Sequence, residues 1–179
     1  RLKFLRSPSA EASRVQTLAT RYALAYPSVR FRLSVDGSDV FSSLGSGDTR
    51  EVVSDVYGAG VAQAMLDLSW EGEDGTPRLS GLIGPPSVTR ANRSDISLYV
   101  NGRWVQNRML TYSVQEAYHG FLMERRFPLA VVRFELPRDG IDVNVHPSKT
   151  EIRFLREGPV FSALQRAVRE TLTAQSPVP

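Results

Sequence analysis

The run Asp142-Val143-Asn144-Val145-His146-Pro147-Ser148-Lys149-Thr150-Glu151-Ile152-Arg153-Phe154 ends an alternating strand and then offers one ammonium group from a proline-kinked loop. Lys3 and Lys149 are the only lysines among 22 Lys and Arg residues, so a lysine here departs from a strong arginine habit. Pro147 has no N–H for a ladder, which turns the segment, and Lys149 with it, outward from the sheet edge. Against a terminal phosphate in a closed site, one such charge would supply ~4 kcal/mol at ~4 Å and an effective dielectric of ~20, before desolvation. That matters for phosphoryl transfer, where catalysis is mostly positioning and electrostatics. On residue types alone, an exposed loop lysine is the commoner outcome. Asp142, Asn144 and His146 share one strand face at a spacing of two, the pattern of a half-solvated face. His146, beside Pro147, is assigned to support of the loop that holds Lys149.

A second set of candidates is basic. Arg103 and Arg108 flank a turn and the start of a helix, and Arg90 and Arg93 occupy a polar loop expected to lie near them. Arginines in such positions grip backbone phosphates without reading sequence, giving binding that weakens steeply with salt. No aromatic platform is interleaved with them, so single-strand stacking is not supported. Solvated surface arginines fit the same pattern about as well. Net charge is +3, distributed as +6 over residues 1–35, −6 over 36–98 and +3 over 99–179. That asymmetry points to a basic face formed by the two ends.

Other chemistry is excluded by composition. With no cysteine and only His119 and His146, the chain offers no thiolate, disulfide or plausible zinc cluster, and no metal site is expected. No serine stands in a Gly-x-Ser-x-Gly elbow. Gly45-Ser46-Gly47 and Gly58-Ala59-Gly60 match no nucleotide fingerprint and read as punctuation. Apolar runs such as Pro128 to Val132 are too short for a bilayer and no signal pattern opens the chain, so a soluble cytoplasmic protein is expected.

The elements that must position these residues follow from periodicity. At 179 residues and 41% apolar content the chain supports a real core, with one domain as the default. Arg1 to Leu5 reads as the end of an element begun upstream. Ser7-Pro8 caps a helix carrying Val15, Leu18, Ala19, Tyr22 and Tyr26 up to Pro27. Val29 to Val35 and Val40 to Leu44 form a hairpin through Asp36-Gly37. Asp48 with Glu51 resembles a capping box for a short helix closed by Gly58. Met65 to Trp70 and Leu79 to Ile83 make a second hairpin, and Ile96, Leu98 and Val100 lead through Asn101-Gly102 to Trp104-Val105. Leu110, Val114, Ala117, Tyr118 and Phe121 stripe the next helix. Strands Ala130 to Leu136 and Ile141 to Val145 are expected to form a hairpin through Asp139-Gly140. Ile152 and Phe154, then a helix with Val160, Leu164, Ala167, Val168 and Leu172, lead to a linker-like tail. This order predicts an α+β fold of mixed layers, with helices covering a sheet.

Arg1-Leu2-Lys3-Phe4-Leu5, Tyr99-Val100-Asn101-Gly102-Arg103 and Asp142 through Phe154 resemble three successive signatures of the MutL mismatch-repair family, over essentially the whole chain. The resemblance implies that residues 1–8 end a GHKL-type ATPase domain, that 9–174 form the second, transducer domain, and that 175–179 begin a linker. It implies the fold of ribosomal protein S-five's second domain, helices packed on a mixed sheet. Lys149 matches the family lysine that reaches the γ-phosphate of ATP in the neighbouring domain, and Arg103 and Arg108 fall where the family presents basic residues to DNA. The glutamate base, magnesium-binding asparagine and lid of the ATP site would lie upstream, so ATP and Mg are cofactors of the parent and not of this segment, which alone should not hydrolyse ATP. Implied partners are the ATPase domain, double- or single-stranded DNA, a MutS-type mismatch-recognition protein and a second copy of the parent, in the cytoplasm at the bacterial nucleoid. Two rivals remain: a stand-alone nucleic-acid-binding module of the same fold, and the transducer of a related topoisomerase subunit. The signature at Asp142 to Phe154 disfavours the latter.

Overall fold

The computed structural model describes residues 7–72, 76–142 and 152–175, and the chain divides into two compact units, residues 1–63 and 64–179.

In the first unit, Ser7 caps helix α1 (Pro8–Ala25), its hydroxyl accepting the Ala10 N–H at 3.3 Å with Pro8 in the first turn. Strands β1 (Arg32–Val35) and β2 (Ser38–Ser42) pair antiparallel. Asp36 and Gly37 take φ of 50° and 81°, the paired left-handed conformation of a two-residue hairpin turn. Arg32 grips Asp39 across the pair, Nε to Oδ1 at 3.0 Å and Nη2 to Oδ2 at 2.7 Å, while the Ser34 hydroxyl donates to the same carboxylate at 2.6 Å. Asp48 caps helix α2 (Thr49–Tyr57), and Gly58 ends it at φ 95°. The expected capping box runs through an intermediary: Glu51 hydrogen-bonds the Ser46 hydroxyl, which accepts the Asp48 N–H at 3.2 Å. A short helix α3 (Ala59–Ala64) follows, unannounced by any apolar stripe.

The stripe along α1 departs from expectation. Ala23 and Leu24 are buried, but Val15, Leu18 and Tyr22 are each about half exposed, at 49%, 50% and 50%. The helix packs on α2 and β2 through its C-terminal turns. Its sequence amphipathicity therefore marks a surface as well as a core face.

The second unit is built on strands β3 (Leu66–Trp70), β4 (Arg78–Ile83), β5 (Thr89–Arg90), β6 (Ile96–Val100) and β7 (Arg103–Val105), helix α4 (Arg108–Ala117), strands β8 (Phe127–Pro128), β9 (Ala130–Glu135), β10 (Ile141–Asp142) and β11 (Arg153–Phe154), and helix α5 (Glu157–Gln175). The main sheet runs β3-β4-β9-β6-β7, antiparallel except where β6 lies parallel to β9. A parallel neighbour needs a crossover, and α4 supplies it. Leu79, Leu98, Ala130, Val132 and Phe134 bury one sheet face against Leu110 and Val114 of α4 and Leu164, Val168 and Leu172 of α5. Each such side chain contributes about 1.5–3 kcal/mol on burial. The buried Ser113 hydroxyl donates to the Phe161 carbonyl at 2.9 Å, pinning α4 to α5 without an unpaired polar atom.

The chain after β9 does not return as a hairpin. Strand β9 is flanked on both edges, by β4 and β6, so it has no edge left for a following strand. Pro137 opens a 3-10 turn at Arg138–Gly140, and β10 pairs antiparallel with β11. Val143 and Val145 lie outside the described residues.

Gly81, opposite Val132 in the ladder, sits at φ 139°, and a Cβ there would stand 2.0 Å from the Val131 carbonyl oxygen. Both the backbone conformation and the contact exclude a side chain. Gly81→Ala should therefore lower stability by at least about 2 kcal/mol, read as a fall in the urea midpoint at constant m.

Candidate functional site

Lys149, His146 and Pro147 lie outside the described residues, but both flanks of their segment are placed. Ile141 stands opposite Phe154 and Asp142 opposite Arg153, and the Leu155 N–H donates to the Gly140 carbonyl at 3.1 Å. Phe154 and Ile152 are buried and join the main core. The segment bearing Lys149 thus leaves and re-enters a single anchored ladder.

Asn107 connects that anchor to the basic candidates. Its side-chain oxygen accepts the Leu110 N–H at 3.0 Å, capping α4, and its amide donates to the Ile152 carbonyl at 3.5 Å. Arg108 is the first residue of α4 and is exposed. A cation at the positive end of a helix is locally unfavourable by about 0.3–1 kcal/mol. Guanidinium and free N–H groups there present one positive end to any anion.

Arg103 is exposed and opens β7 directly after the Asn101-Gly102 turn. Asn101 does more than permit that turn. At φ 48° it donates its amide to the Leu136 carbonyl at 3.0 Å and accepts the Leu136 N–H at 3.0 Å, and its own N–H donates to the Phe134 carbonyl at 2.8 Å. The turn that presents Arg103 is riveted to the end of the central strand. The Asn-Gly pair was legible as a turn, whereas its partner Leu136 lies 35 residues away and only the fold brings it there.

Arg90 and Arg93 do not join Arg103 and Arg108. They precede β6 at the end where Ile96 meets Ala130, while the Asn101 turn lies at the other end, beyond Val100 and Phe134. Helix α4, ten residues or about 15 Å long, runs between Arg108 and the neighbourhood of Tyr118, whose hydroxyl donates to the Gly84 carbonyl at 2.6 Å. Burial pushes the Tyr118 phenol far above its ordinary range, so it remains a neutral donor. Arg93 instead lies over the Phe127 ring at 5.6 Å, Arg90 pairs with Asp95 at 3.1 Å, and Arg126 bonds Thr89.

Sequence reasoning missed Arg133. It lies on the sheet face opposite α4 and α5, its guanidinium 5.8 Å from the Tyr99 ring, and burial lowers its pKa. Alternation along β9 would have exposed it as a charge inside an apolar strand. No group of three or more His, Cys, Asp or Glu side chains that could hold a metal occurs among the described residues. No helix among them is long and apolar enough to cross a membrane.

Comparison with known proteins bears on this arrangement. A family model described as "DNA mismatch repair protein, C-terminal domain" matches residues 53–173. MutL of Limosilactobacillus fermentum is 38% identical over all 179 residues, and MutL of Shouchella clausii 37%. The chain belongs to the MutL family of DNA mismatch repair proteins. It spans 27% of the length of either relative. Among solved structures, the N-terminal domain of a DNA repair protein superposes at TM-score 0.74 and 25% identity, over 90% of this chain and 53% of that one. The Aquifex aeolicus MutL ATPase domain, solved with ADP, superposes at 0.62 with 22% identity, covering 98% of this chain and 53% of the other. The gyrase B-subunit of Myxococcus xanthus shares the fold at 0.50 and 13% identity. These likenesses agree with the α+β reading of helices on a mixed sheet.

Asn101→Ala should cost about 2 kcal/mol, from two lost hydrogen bonds and a left-handed backbone that alanine disfavours. Asn101→Gly, which removes only the bonds, should recover about half of it. Chemical denaturation of both variants distinguishes these contributions.

Proposed function

We propose that this MutL segment is a transducer: it senses ATP held by an adjacent GHKL ATPase domain through Lys149 and couples that state to DNA binding and dimer closure. The anchored ladder of Ile141–Asp142 with Arg153–Phe154 carries the reading, because it fixes both ends of the Lys149 segment and Asn107 ties it to the helix that begins at Arg108. Asn107 thereby links the C-terminal flank of that segment, at Ile152, to the start of the helix at Arg108. His146 and Pro147 shape the loop.

ATP and Mg belong to the neighbouring domain in this reading. The described residues supply no carboxylate set for a metal, but the chain supplies cations suited to phosphate. Bound ATP would contribute the phosphoanhydride, while Lys149 contributes a positive charge placed late, when the domains dock, and most valuable where charge builds on the terminal phosphate. Arg103 and Arg108 hold DNA by its phosphates, without reading bases. In this reading the hydrolytic groups belong to the adjacent ATPase domain, so turnover belongs to the parent, and closure of a homodimer around DNA, with a MutS-type protein engaged, is the output.

In this reading residues 9–174 form the transducer, and the matched family domain, residues 53–173, falls within them. Val15, Leu18 and Tyr22, exposed on α1, form an apolar stripe of the kind a neighbouring domain covers.

Single-turnover ATP hydrolysis by the two-domain parent, at matched nucleotide occupancy, tests the sensor. Lys149→Ala should slow it roughly 10²-fold, as loss of one preorganised charge contact does. An unchanged rate would return Lys149 to an ordinary loop position and favour a plain nucleic-acid-binding module. Arg108→Ala should leave DNA-free turnover intact and reduce the salt slope of DNA binding by about 1.

A further inference from the structure

We propose that the corner where β5 pairs with β8 is a second contact for the phosphodiester backbone of DNA, made by the guanidiniums of Arg93 and Arg126. The proposal rests on the DNA-binding reading above and adds a site at the far end of the sheet from Arg103.

The ladder pairs Thr89 with Pro128 and Arg90 with Phe127, bringing segments 37 residues apart into contact. Arg126 donates from Nε to the Thr89 hydroxyl at 2.8 Å, and its Nη2 donates to the same oxygen. Arg93 lies over Phe127, its central carbon 5.6 Å from the ring centroid. Both side chains belong to exposed residues.

The chemistry of these anchors is decisive. A hydroxyl and an aromatic ring fix a guanidinium in place without cancelling its charge, as a carboxylate would. The nearby carboxylate of Asp95 is taken by Arg90 at 3.1 Å, with both side chains about a quarter exposed. Glu124, also exposed, is the one acid in the turn beside Arg125 and Arg126. The corner therefore keeps two cations whose remaining N–H groups meet no further partner among the described residues, and their anchoring lowers the entropy cost of binding. Arg125, next to Arg126, takes φ 60°, a left-handed backbone that costs a non-glycine residue about 1–2 kcal/mol.

An open corner selects an extended polyanion over a single phosphate. A lone phosphate on an exposed surface stays hydrated and gains little. Duplex DNA carries one charge per ~1.7 Å of axis and releases counterions to each neutralising side chain. The ~15 Å length of α4 that separates this end of the unit from Arg108 equals about four base-pair rises, so one duplex is long enough to reach both ends.

The test uses the full chain and a fluorescein-labelled duplex of about 40 base pairs, titrated by anisotropy between about 50 and 200 mM salt. Arg93→Ala/Arg126→Ala should reduce the slope of log K against log salt by about 2 and weaken binding roughly tenfold at the lowest salt. Arg93→Lys/Arg126→Lys, which keeps the charge but loses the fork, should restore the slope and only part of the affinity. Circular dichroism confirms that each variant is folded. An unchanged slope in the alanine pair, with Arg108→Ala still lowering it, would overturn the corner and leave the DNA reading standing. Absence of salt-dependent binding by the native chain would overturn both. Displacement of the duplex by inorganic phosphate at equal phosphate concentration, lost in the alanine pair, would overturn the polyanion assignment.

Discussion

Everything in the second unit hangs on the enclosure of β9. Paired with β4 on one edge and β6 on the other, and covered by α4 and α5, it spends its backbone groups and one face of its side chains on the core. A strand with no free edge cannot be extended by a hairpin. The chain must leave, and it leaves through the 3-10 turn at Arg138–Gly140 into a small ladder of its own. The β10–β11 ladder is thus a consequence of how fully the centre of the sheet is satisfied.

The same enclosure places the basic residues. Because β6 is parallel to β9, the helix between them must run back along the sheet, so its two ends serve opposite ends of the unit. One end holds Arg108 and the Asn107 cap. The other leads to Tyr118, Gly84 and the corner where Thr89 and Phe127 organise Arg126 and Arg93. Two separate cationic sites, rather than one pool of surface charge, suit a ligand that is long and repetitive.

Neutral side chains do much of the positioning. Asn101 rivets a turn to the central strand, Asn107 joins a helix cap to the returning segment, and Thr89 holds a guanidinium. Ser46 relays between Asp48 and Glu51. Each satisfies backbone or charged groups while leaving the exposed arginines their full charge. Positioning by neutral groups also avoids the desolvation cost of buried ion pairs.

Local rules carried the sequence a long way. Asp36-Gly37 and Asn101-Gly102 announced their turns, Ser7-Pro8 and Asp48 their helix caps, and period-3.6 stripes the buried faces of α4 and α5, because each depends on residues within one or two turns of each other. The three signatures that resemble MutL proteins identified the family from the order of residues alone. What the sequence could not decide was which edges would be taken. The alternation of Ile141 and Val143 suits a hairpin with β9 as well as a ladder with β11, and Arg93 is as compatible with Arg103 as with Phe127. Periodicity specifies which face of an element is apolar, but not its neighbour. Those choices depend on contacts between residues tens of positions apart, and only the packed sheet, with every central edge occupied, settles them.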